Sequence, residues 1–377
     1  MTKTNSWIEI SSSALNHNIQ NLKKIIGPKV RLLVPVKANA YGHGLIEVSN
    51  IISLNKVDFL GVNSLEEAEL IRKNKIYTSI LILGYIRLTE LYRLEKLSNV
   101  SLAVYNKETV KKLGQLKKKV NIHLKLETGT NRQGILPEDL LDFIRLVNKH
   151  KNLIIEGLYT HFANIEDTLV HGYAFNQLEL FKKCLKKLSG KGINIPFVHV
   201  ACSAAAILYK QTHFNLIRPG ISIYGLWSSN ETRLIAEKQK KLLKLKPVLA
   251  WKSVIAQIKT VKKGCPIGYG CSENVYRDSL IAVIPVGYWD GFDRGLSSIG
   301  NVIIRGQKAK VMGRVCMNMF MVDVTDISKV KLEDEVVLIG RQGREEITAN
   351  EMANKINTIN YEVITRINPL IKRLIVK

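Results

Sequence analysis

The sequence predicts an eight-stranded parallel α/β barrel of the TIM type, followed by a mostly β domain. Eight short apolar runs recur at fairly even intervals, and helix-like stretches such as "SLEEAELIRK" separate many of them. Apolar runs that do not alternate with polar residues are typical of strands buried on both faces. Strand, helix, strand repeated over eight units favours a barrel. The runs are 30–36, 59–62, 80–83, 101–104, 122–126, 154–159, 196–201 and 216–224.

The composition changes after Gly225, where the charged stretch "SSNETRLIAEKQKKLLKL" leads into β-rich patterning. Short apolar segments with Gly and Asp turns, as in "NVIIRGQKAKVMG", indicate a separate β domain. We predict a barrel domain over residues 1–235 and a β domain over residues 236–377. The first strand of the chain, at about residues 6–10, is a candidate to join the β domain. Because proline cannot donate to a sheet ladder, Pro35 predicts a bulge or a short first barrel strand.

Composition excludes several classes of protein. The chain has 377 residues and a net charge of +24, but its lysines lie on helix-like stretches without interleaved aromatics, so we expect no nucleic-acid partner. No apolar run reaches the ~18 residues of a membrane span, and we expect no membrane contact. The N-terminus lacks an apolar signal region. The five cysteines have neither CxxC nor zinc spacing, so we expect reduced thiols, no metal and a cytoplasmic protein.

Residues with reactive or charged side chains fall at the predicted carboxyl ends of the barrel strands, where barrel enzymes gather their functional groups. An amine, an imidazole, two guanidiniums and a cradle of small residues suit a cofactor that carries a carbonyl and a phosphate. These residues are Lys37 after strand one, Arg132 after strand five, His161 at the end of strand six, Ser203 after strand seven, and Arg218 and Gly220 on strand eight.

In this interpretation Lys37 attaches the cofactor covalently as a Schiff base. Ser203 and the backbone amides near Gly220 and Ile221 hold the phosphate, because glycine lets the backbone approach closely. Ordinary structural roles stay open at this point. A lysine at a strand end is often an ion-pair partner, a histidine is often a satisfied core residue, a serine caps helices, a buried arginine pairs with a carboxylate, and a glycine after proline forms a turn.

Eight motifs, in this order, resemble those of the alanine racemase family: "VPVKANAYGHG", "ETGTNRQG", "GLYTHFAN", "IRPGISIYG", "IGYG", "GYWDGFDR", "MGRVCMNMFMVDVTD" and "YEVITRI". The resemblance extends from Trp7 to about Arg373. It implies an enzyme dependent on pyridoxal 5'-phosphate (PLP) that interconverts L- and D-alanine and supplies D-alanine for peptidoglycan. It also implies a head-to-tail homodimer in which each active site is completed by the neighbouring subunit.

Racemisation needs a proton removed from one face of the α-carbon and returned to the other, which one base on each face achieves most directly. Lys37 supplies one face, and by resemblance Tyr269 of "IGYG" supplies the other. A phenol is a reluctant base at neutral pH, and His161 and Arg218 match the residues that the family uses to assist it. The resemblance also places Arg218 against the pyridine nitrogen, which an arginine leaves largely unprotonated.

Further residues are carried over from the resemblance. Each has an ordinary alternative, such as core packing for the aromatic and aliphatic residues or a surface position for the arginines. Lys125 matches a lysine that is carbamylated in many relatives, and an unmodified lysine bonded to Glu127 or another group is the alternative. The others are Tyr41, Leu83 and Tyr361 near the cofactor, Arg132 and Met317 at the substrate carboxylate, and Arg294 and Arg314 in the access channel.

The chain departs from the family pattern at four positions. Glu127 replaces an aspartate, Thr130 a methionine and Cys202 an asparagine. Asn318 replaces an aspartate and so removes a carboxylate from the expected substrate-binding network. This departure bears on substrate preference and not on reaction type.

Rival functions remain at this level. A racemase of the same architecture would act on serine or a basic amino acid. A related PLP decarboxylase would not need Tyr269 as a second base, and a non-catalytic PLP carrier would need only the barrel. A nucleic-acid-binding role ranks last.

Overall fold

The structure, a computed structural model, describes residues 4–167, 172–240 and 243–377. Two compact units are present: a barrel unit of Ala14–Ala40 and Val48–Lys246, and a β unit of Met1–Ser13, Tyr41–Glu47 and Pro247–Lys377. Lys241 and Leu242, within the predicted connector, lie outside the described residues. Across the described ranges, no helix is both long and apolar enough to cross a membrane.

Eight parallel strands form the barrel unit and confirm the predicted fold class. The first strand of the chain, β1 (Ser6–Ser11), belongs to the β unit. The barrel strands are β2 (Arg31–Pro35), β3 (Phe59–Val62), β4 (Ser79–Ile82), β5 (Val100–Val104), β6 (Val120–Lys125), β7 (Leu153–Tyr159), β8 (Phe197–His199) and β9 (Leu216–Ile217). They are hydrogen-bonded in the order β8-β7-β6-β5-β4-β3-β2-β9. Arg218 N–H donates to the Ala201 carbonyl at 2.9 Å beyond the ends of β8 and β9, so the barrel is nearly closed.

Part of the barrel interior is apolar. Leu33, Phe59, Leu81 and Leu216, which come from neighbouring strands, form one buried cluster. Leu83, predicted to line the cofactor, is half-buried and packs against this cluster at the end of β4.

Helices and helical turns connect the strands. Helix α4 (Leu65–Lys73) shows why such stretches fold: Ser64 accepts the Glu67 N–H at 3.3 Å as its N-cap, acidic residues occupy the first turn and basic residues the last. The helices up to the end of the barrel are α1 (Ser12–Ile26), the turn α2 (Lys37–Tyr41), α3 (Leu45–Leu54), α4 (Leu65–Lys73), α5 (Lys107–Leu113), α6 (Leu140–Asn148), α7 (Gly172–Ser189), α8 (Ser203–Leu208) and α9 (Asn230–Lys238), with 3₁₀ turns at Leu88–Lys96 and Lys210–Thr212.

The prediction for the eighth strand is wrong in length. Strand β9 covers Leu216–Ile217 only, because Pro219 lacks the amide hydrogen that would continue the ladder. Tight turns follow, in which Ile223 N–H donates to Gly220 O at 3.0 Å. Arg218 and Gly220 therefore lie beyond the strand end instead of on the strand. At Pro35 the outcome is a short strand: β2 ends there, paired in regular register with β3.

The β unit contains a mixed sheet, as the β-rich patterning predicts. Its strands are β1, β10 (Leu249–Val254), β11 (Gln257–Val261), β12 (Ser279–Ile284), β13 (Asn301–Ile304), β14 (Gln307–Met312), β15 (Phe320–Asp323), β16 (Glu335–Gln342), β17 (Glu345–Ile347) and β18 (Lys372–Val376), with helices α10 (Ala349–Lys355) and α11 (Asn360–Thr365) and 3₁₀ turns at Tyr269–Cys271, Tyr288–Asp290 and Arg294–Leu296. Strand β1 pairs antiparallel with β10 and parallel with β18. Stacked Phe292 and Phe320 rings, 4.3 Å apart, lie in its core.

Candidate active site

A left-handed turn at the carboxyl end of β2 presents Lys37. Residues 38–41 all have φ between 51° and 54°, a conformation that costs a non-glycine residue roughly 1–2 kcal/mol. The Glu67 carboxylate supports this turn, since it accepts the Ala38 N–H at 2.7 Å and the Asn63 N–H at 2.6 Å. Glu67 was not identified from the sequence.

The surroundings of Lys37 favour its neutral form. Burial, followed by the positive charge of Arg132, lowers the pKa of the amine, while the Glu67 carboxylate opposes the shift. A lysine with a lowered pKa is deprotonated more often at neutral pH, and the neutral amine is the nucleophilic form.

The structure brings Lys125, Arg132, His161 and Arg218 into electrostatic contact with Lys37. Burial and then the charges of Arg218 and Arg132 lower the pKa of His161 to about 3, so its imidazole is neutral at physiological pH. Burial and then Arg132 lower the pKa of Lys125 to about 8. The barrel mouth is therefore strongly electropositive and suited to an anionic ligand.

Lys125, the last residue of β6, is only 6% exposed. Its Nζ donates to Gln133 Oε1 at 3.3 Å and lies 6.0 Å from the centre of the Tyr159 ring. Gln133 in turn donates to the Tyr105 hydroxyl at 3.0 Å. The hydrogen-bond partner of the unmodified lysine is thus Gln133 and not Glu127.

Arg218 is buried and held on several sides. Its Nη1 donates to His199 Nδ1 at 2.5 Å and its Nη2 to the Thr160 carbonyl at 2.8 Å, and its guanidinium lies 5.0 Å from the centre of the Tyr159 ring. Burial lowers its pKa to about 10, so it stays charged at neutral pH. Its Nη2 also donates to the Val200 carbonyl at 3.4 Å, and these three contacts leave further N–H groups of the guanidinium for a ligand.

The residues behind Arg218 were not predicted from the sequence. His199 stacks on Tyr159 at 4.8 Å and contacts His123, which contacts Glu156. The sequence contained a signal for them, because each of these polar residues interrupts an apolar run that predicts a strand. Buried polar groups need partners, and only the fold supplies them here.

The loop after β6 carries Arg132 and is tied to the loop after β7. Thr130 donates to the His161 carbonyl at 2.6 Å, and Gln177 of α7 donates to the same oxygen at 3.2 Å. Glu127 accepts the Gly129 N–H at 2.6 Å. Glu127 and Thr130, two departures from the family pattern, therefore shape these loops.

A small-residue cradle forms where α8 begins. Ser203 Oγ accepts the Ser222 N–H at 3.3 Å, which joins the start of α8 to the turn after β9. Gly220 and Ile221 are buried, and within the described residues neither backbone amide donates a hydrogen bond. Buried amides without a partner are rare and are suited to an anion such as phosphate. Nearby Cys202 places its thiol 3.7 Å from Glu166 Oε1.

Four predicted site residues belong to the β unit. Tyr41 and Tyr361 pair within it, with ring centres 6.1 Å apart. The Tyr269 side chain is 72% exposed and that of Met317 is 56% exposed, so Met317 is not core filler. Other expected residues of this unit, Arg294, Arg314 and Asn318, are also exposed.

Within the part of the chain that the structure describes, no group of three or more His, Cys, Asp or Glu side chains is arranged to hold a metal ion.

Two family models match the chain: "Alanine racemase, N-terminal domain" over residues 10–228 and "Alanine racemase, C-terminal domain" over residues 248–375. The alanine racemase of Leptospira interrogans is 38% identical over 374 residues, which are 98% of this chain and 96% of that protein. The alanine racemase of Methanococcus maripaludis is 37% identical over 373 residues, 98% of both chains.

Solved structures give the same result. The alanine racemase of Clostridium difficile 630 matches with a TM-score of 0.93 at 32% identity, over 100% of this chain and 97% of that one. The alanine racemase of Bacillus anthracis with bound L-Ala-P matches with a TM-score of 0.93 at 32% identity, over 100% of this chain and 96% of that one.

Proposed function

The chain belongs to the alanine racemase family, and we propose that it interconverts L- and D-alanine with PLP as cofactor and with Lys37 and Tyr269 as the two bases. It is an enzyme of the isomerase class. The observation that carries the proposal is Lys37 itself, a half-buried amine with a lowered pKa at a barrel mouth that also holds Arg132 and Arg218.

The residues of the barrel mouth fit PLP. The unpartnered buried amides of Gly220 and Ile221, with Ser203 beside them, would hold the phosphate. Lys37 would hold the cofactor covalently, and Arg218 has N–H donors for its ring nitrogen. When bound, PLP delocalises the negative charge that is left when the α-proton is removed.

The chain's own residues would move the proton. Nζ of Lys37 takes or returns it on one face of the α-carbon, and Oη of Tyr269 does so on the other. Neutral His161 can accept a hydrogen bond without adding a positive charge. Arg132 binds the substrate carboxylate, and the backbone at Met317 contacts it. Because the mouth is rich in cations, the carboxylate of the amino acid is held and oriented before proton transfer.

A homodimer with shared sites is supported by the exposed surface of the β unit. Three loops of the β unit, residues 268–271, 287–289 and 314–319, form this surface. These loops adjoin, since Trp289 N–H donates to the Met317 carbonyl at 3.0 Å and a Cβ on Gly270 would lie 2.7 Å from Arg314 Nη1. The exposure of Tyr269, Trp289 and Met317 together is typical of a surface that a partner covers. The partner would be a second copy of the chain, which receives Tyr269 in its barrel mouth.

We further propose a biosynthetic role, in which the enzyme supplies D-alanine for peptidoglycan in the cytoplasm. All five cysteines are free thiols, which fits a reducing compartment.

Chiral analysis of amino acids incubated with the purified enzyme tests the function. We expect D-alanine from L-alanine and the reverse, with far slower racemisation of serine, lysine and arginine. Lys37→Ala should abolish the reaction. Faster turnover of serine or a basic amino acid would support the rival substrate, for which Asn318 leaves room, and loss of CO₂ would indicate a decarboxylase.

A further inference from the structure

A continuous chain of hydrogen bonds runs from Arg218 into the barrel. Arg218 Nη1 lies 2.5 Å from His199 Nδ1, and His199 Nε2 lies 2.8 Å from His123 Nδ1. His123 Nε2 lies 3.0 Å from Glu156 Oε2. The same carboxylate accepts from Ser101 at 2.5 Å. The chain thus links the barrel mouth to a carboxylate on β7 through two imidazoles.

The two ends of this chain fix its direction. A guanidinium can only donate, so His199 must accept at Nδ1 and carry its proton on Nε2. His123 must then accept at Nδ1 and donate from Nε2. An ionised carboxylate can only accept, so Glu156 requires the same direction from the other end. Both imidazoles are neutral in this arrangement, and burial lowers the pKa of each ring.

Local backbone structure is built around these contacts. Strand β6 pairs Ile122 with Ile155 but His123 with Gly157, so Glu156 is the extra residue of a bulge in β7. Bulges re-aim side chains and are common beside active sites. A Cβ on Gly157 would lie 2.2 Å from His123 Nδ1, so only glycine leaves room for the ring.

Arg218 makes no direct ion pair with a carboxylate of the described residues. Both imidazoles are 0% exposed and Arg218 is 6% exposed, yet among the described residues no carboxylate lies within ion-pair distance of its guanidinium. A buried charge without a partner is costly. Glu156 lies three residues before Tyr159 on β7, about 10 Å deeper along the strand, and its side chain is 19% exposed.

We propose that Glu156 is a positioning residue of the active site: acting through His123 and His199, its carboxylate serves as the remote counter-charge of Arg218 and fixes the orientation of that guanidinium toward the cofactor. The negative charge polarises both rings in series, because hydrogen bonds in a buried chain strengthen one another. His199 then becomes a stronger acceptor for Arg218. The contact between Arg218 and the cofactor is part of the proposed function, and the inference rests on it.

The test compares Glu156→Gln with Ser101→Ala in the PLP-loaded enzyme. Glutamine keeps the shape and an acceptor oxygen but removes the charge. Ser101→Ala removes another hydrogen bond to the same carboxylate oxygen and leaves the charge and both rings in place. It therefore controls for local disturbance around Glu156, and thermal unfolding confirms that both variants are folded.

The first readout is ¹⁵N NMR of histidine-labelled protein. In the wild type, His123 and His199 should each show a protonated Nε2 and an unprotonated Nδ1 that do not titrate near neutral pH. Glu156→Gln should shift the Nδ1 signal of His199, a residue it does not touch, and Ser101→Ala should not. A proton on Nδ1 of either ring, or an unchanged His199 signal in Glu156→Gln, would overturn the inference.

The second readout is PLP affinity, followed by the absorption of the bound cofactor. Glu156→Gln should weaken binding about tenfold, the lower end of the loss seen when the partner behind a ligating histidine is removed. Ser101→Ala should stay within about twofold of the wild type. Equal effects of the two variants would mean a structural role only and would reject the inference. Failure of the proposed function is separate, since it would appear as a wild-type enzyme that forms no D-alanine.

Discussion

The backbone amide of Ala38 donates to Oε1 of Glu67 at 2.7 Å, immediately after the lysine that we assign as the attachment point of PLP. This bond supports the first of four consecutive left-handed residues. The conformation is strained for side-chain-bearing residues and persists only where the surroundings enforce it.

Glu67→Ala should therefore lower the free energy of unfolding by about 1–3 kcal/mol, because the Ala38 and Asn63 amides lose their acceptor. Urea denaturation measures the loss. Glu66→Ala is the matched control, since Glu66 contacts Ser64 and forms an exposed ion pair with Arg93, and it should change stability by less than about 1 kcal/mol. Similar losses in both variants would mean that Glu67 does not support the turn.

Borohydride reduction of the PLP-loaded enzyme should attach the cofactor to Lys37 alone. The lowered pKa of its amine gives it a larger neutral fraction than surface lysines at neutral pH. Peptide mass spectrometry identifies the labelled residue. Label on Lys125, whose pKa is also lowered, or on another lysine would reject the assignment.

Lys125 should form a carbamate with dissolved CO₂. The reaction needs the neutral amine, and the pKa of about 8 means that the neutral fraction rises steeply from pH 7 to pH 9. At fixed CO₂ pressure, a ¹³C carbamate signal should therefore grow over this range. Lys125→Arg keeps the positive charge but cannot form the carbamate, so it should abolish the signal. A signal that persists in this variant would assign the carbamate to another amine.

Tyr269→Phe should reduce racemisation by at least about 100-fold, a typical contribution of a positioned general base. The exchange of the α-proton with solvent should survive better for one enantiomer, the one whose proton Lys37 removes. Deuterium incorporation followed separately for L- and D-alanine measures this difference. Equal losses for both enantiomers would contradict the two-base assignment.

A mixture of Lys37→Ala and Tyr269→Phe chains should recover activity from two nearly inactive proteins. If each site takes Lys37 from one subunit and Tyr269 from the other, the mixed dimer has one site with both changes and one native site. Refolding the two variants together and measuring D-alanine tests this. If the chains have exchanged and no activity returns, both bases come from one chain.

Much of the fold follows from local sequence. Continuous apolar runs specify buried strands whatever their partners, and seven of the eight barrel strands lie where the runs predict them, within a few residues. The run after Ile217 is the exception, because burial in the turns after β9 selects the same apolar residues as burial in a strand. In the sequence, Pro219 is the residue that indicates the end of the hydrogen-bond ladder at β9.

The chemistry at Lys37 and the likeness of eight motifs to one family are also contained in the sequence. Only the tertiary structure determined which buried residues support the site through hydrogen bonds. His123, His199 and Glu156 come from three strands, and neither the bulge that aims Glu156 nor the role of Gly157 is visible before β6 and β7 pair. Hydrogen-bond direction depends on distances of about 3 Å between atoms far apart in the chain, and local residue patterns do not encode such distances.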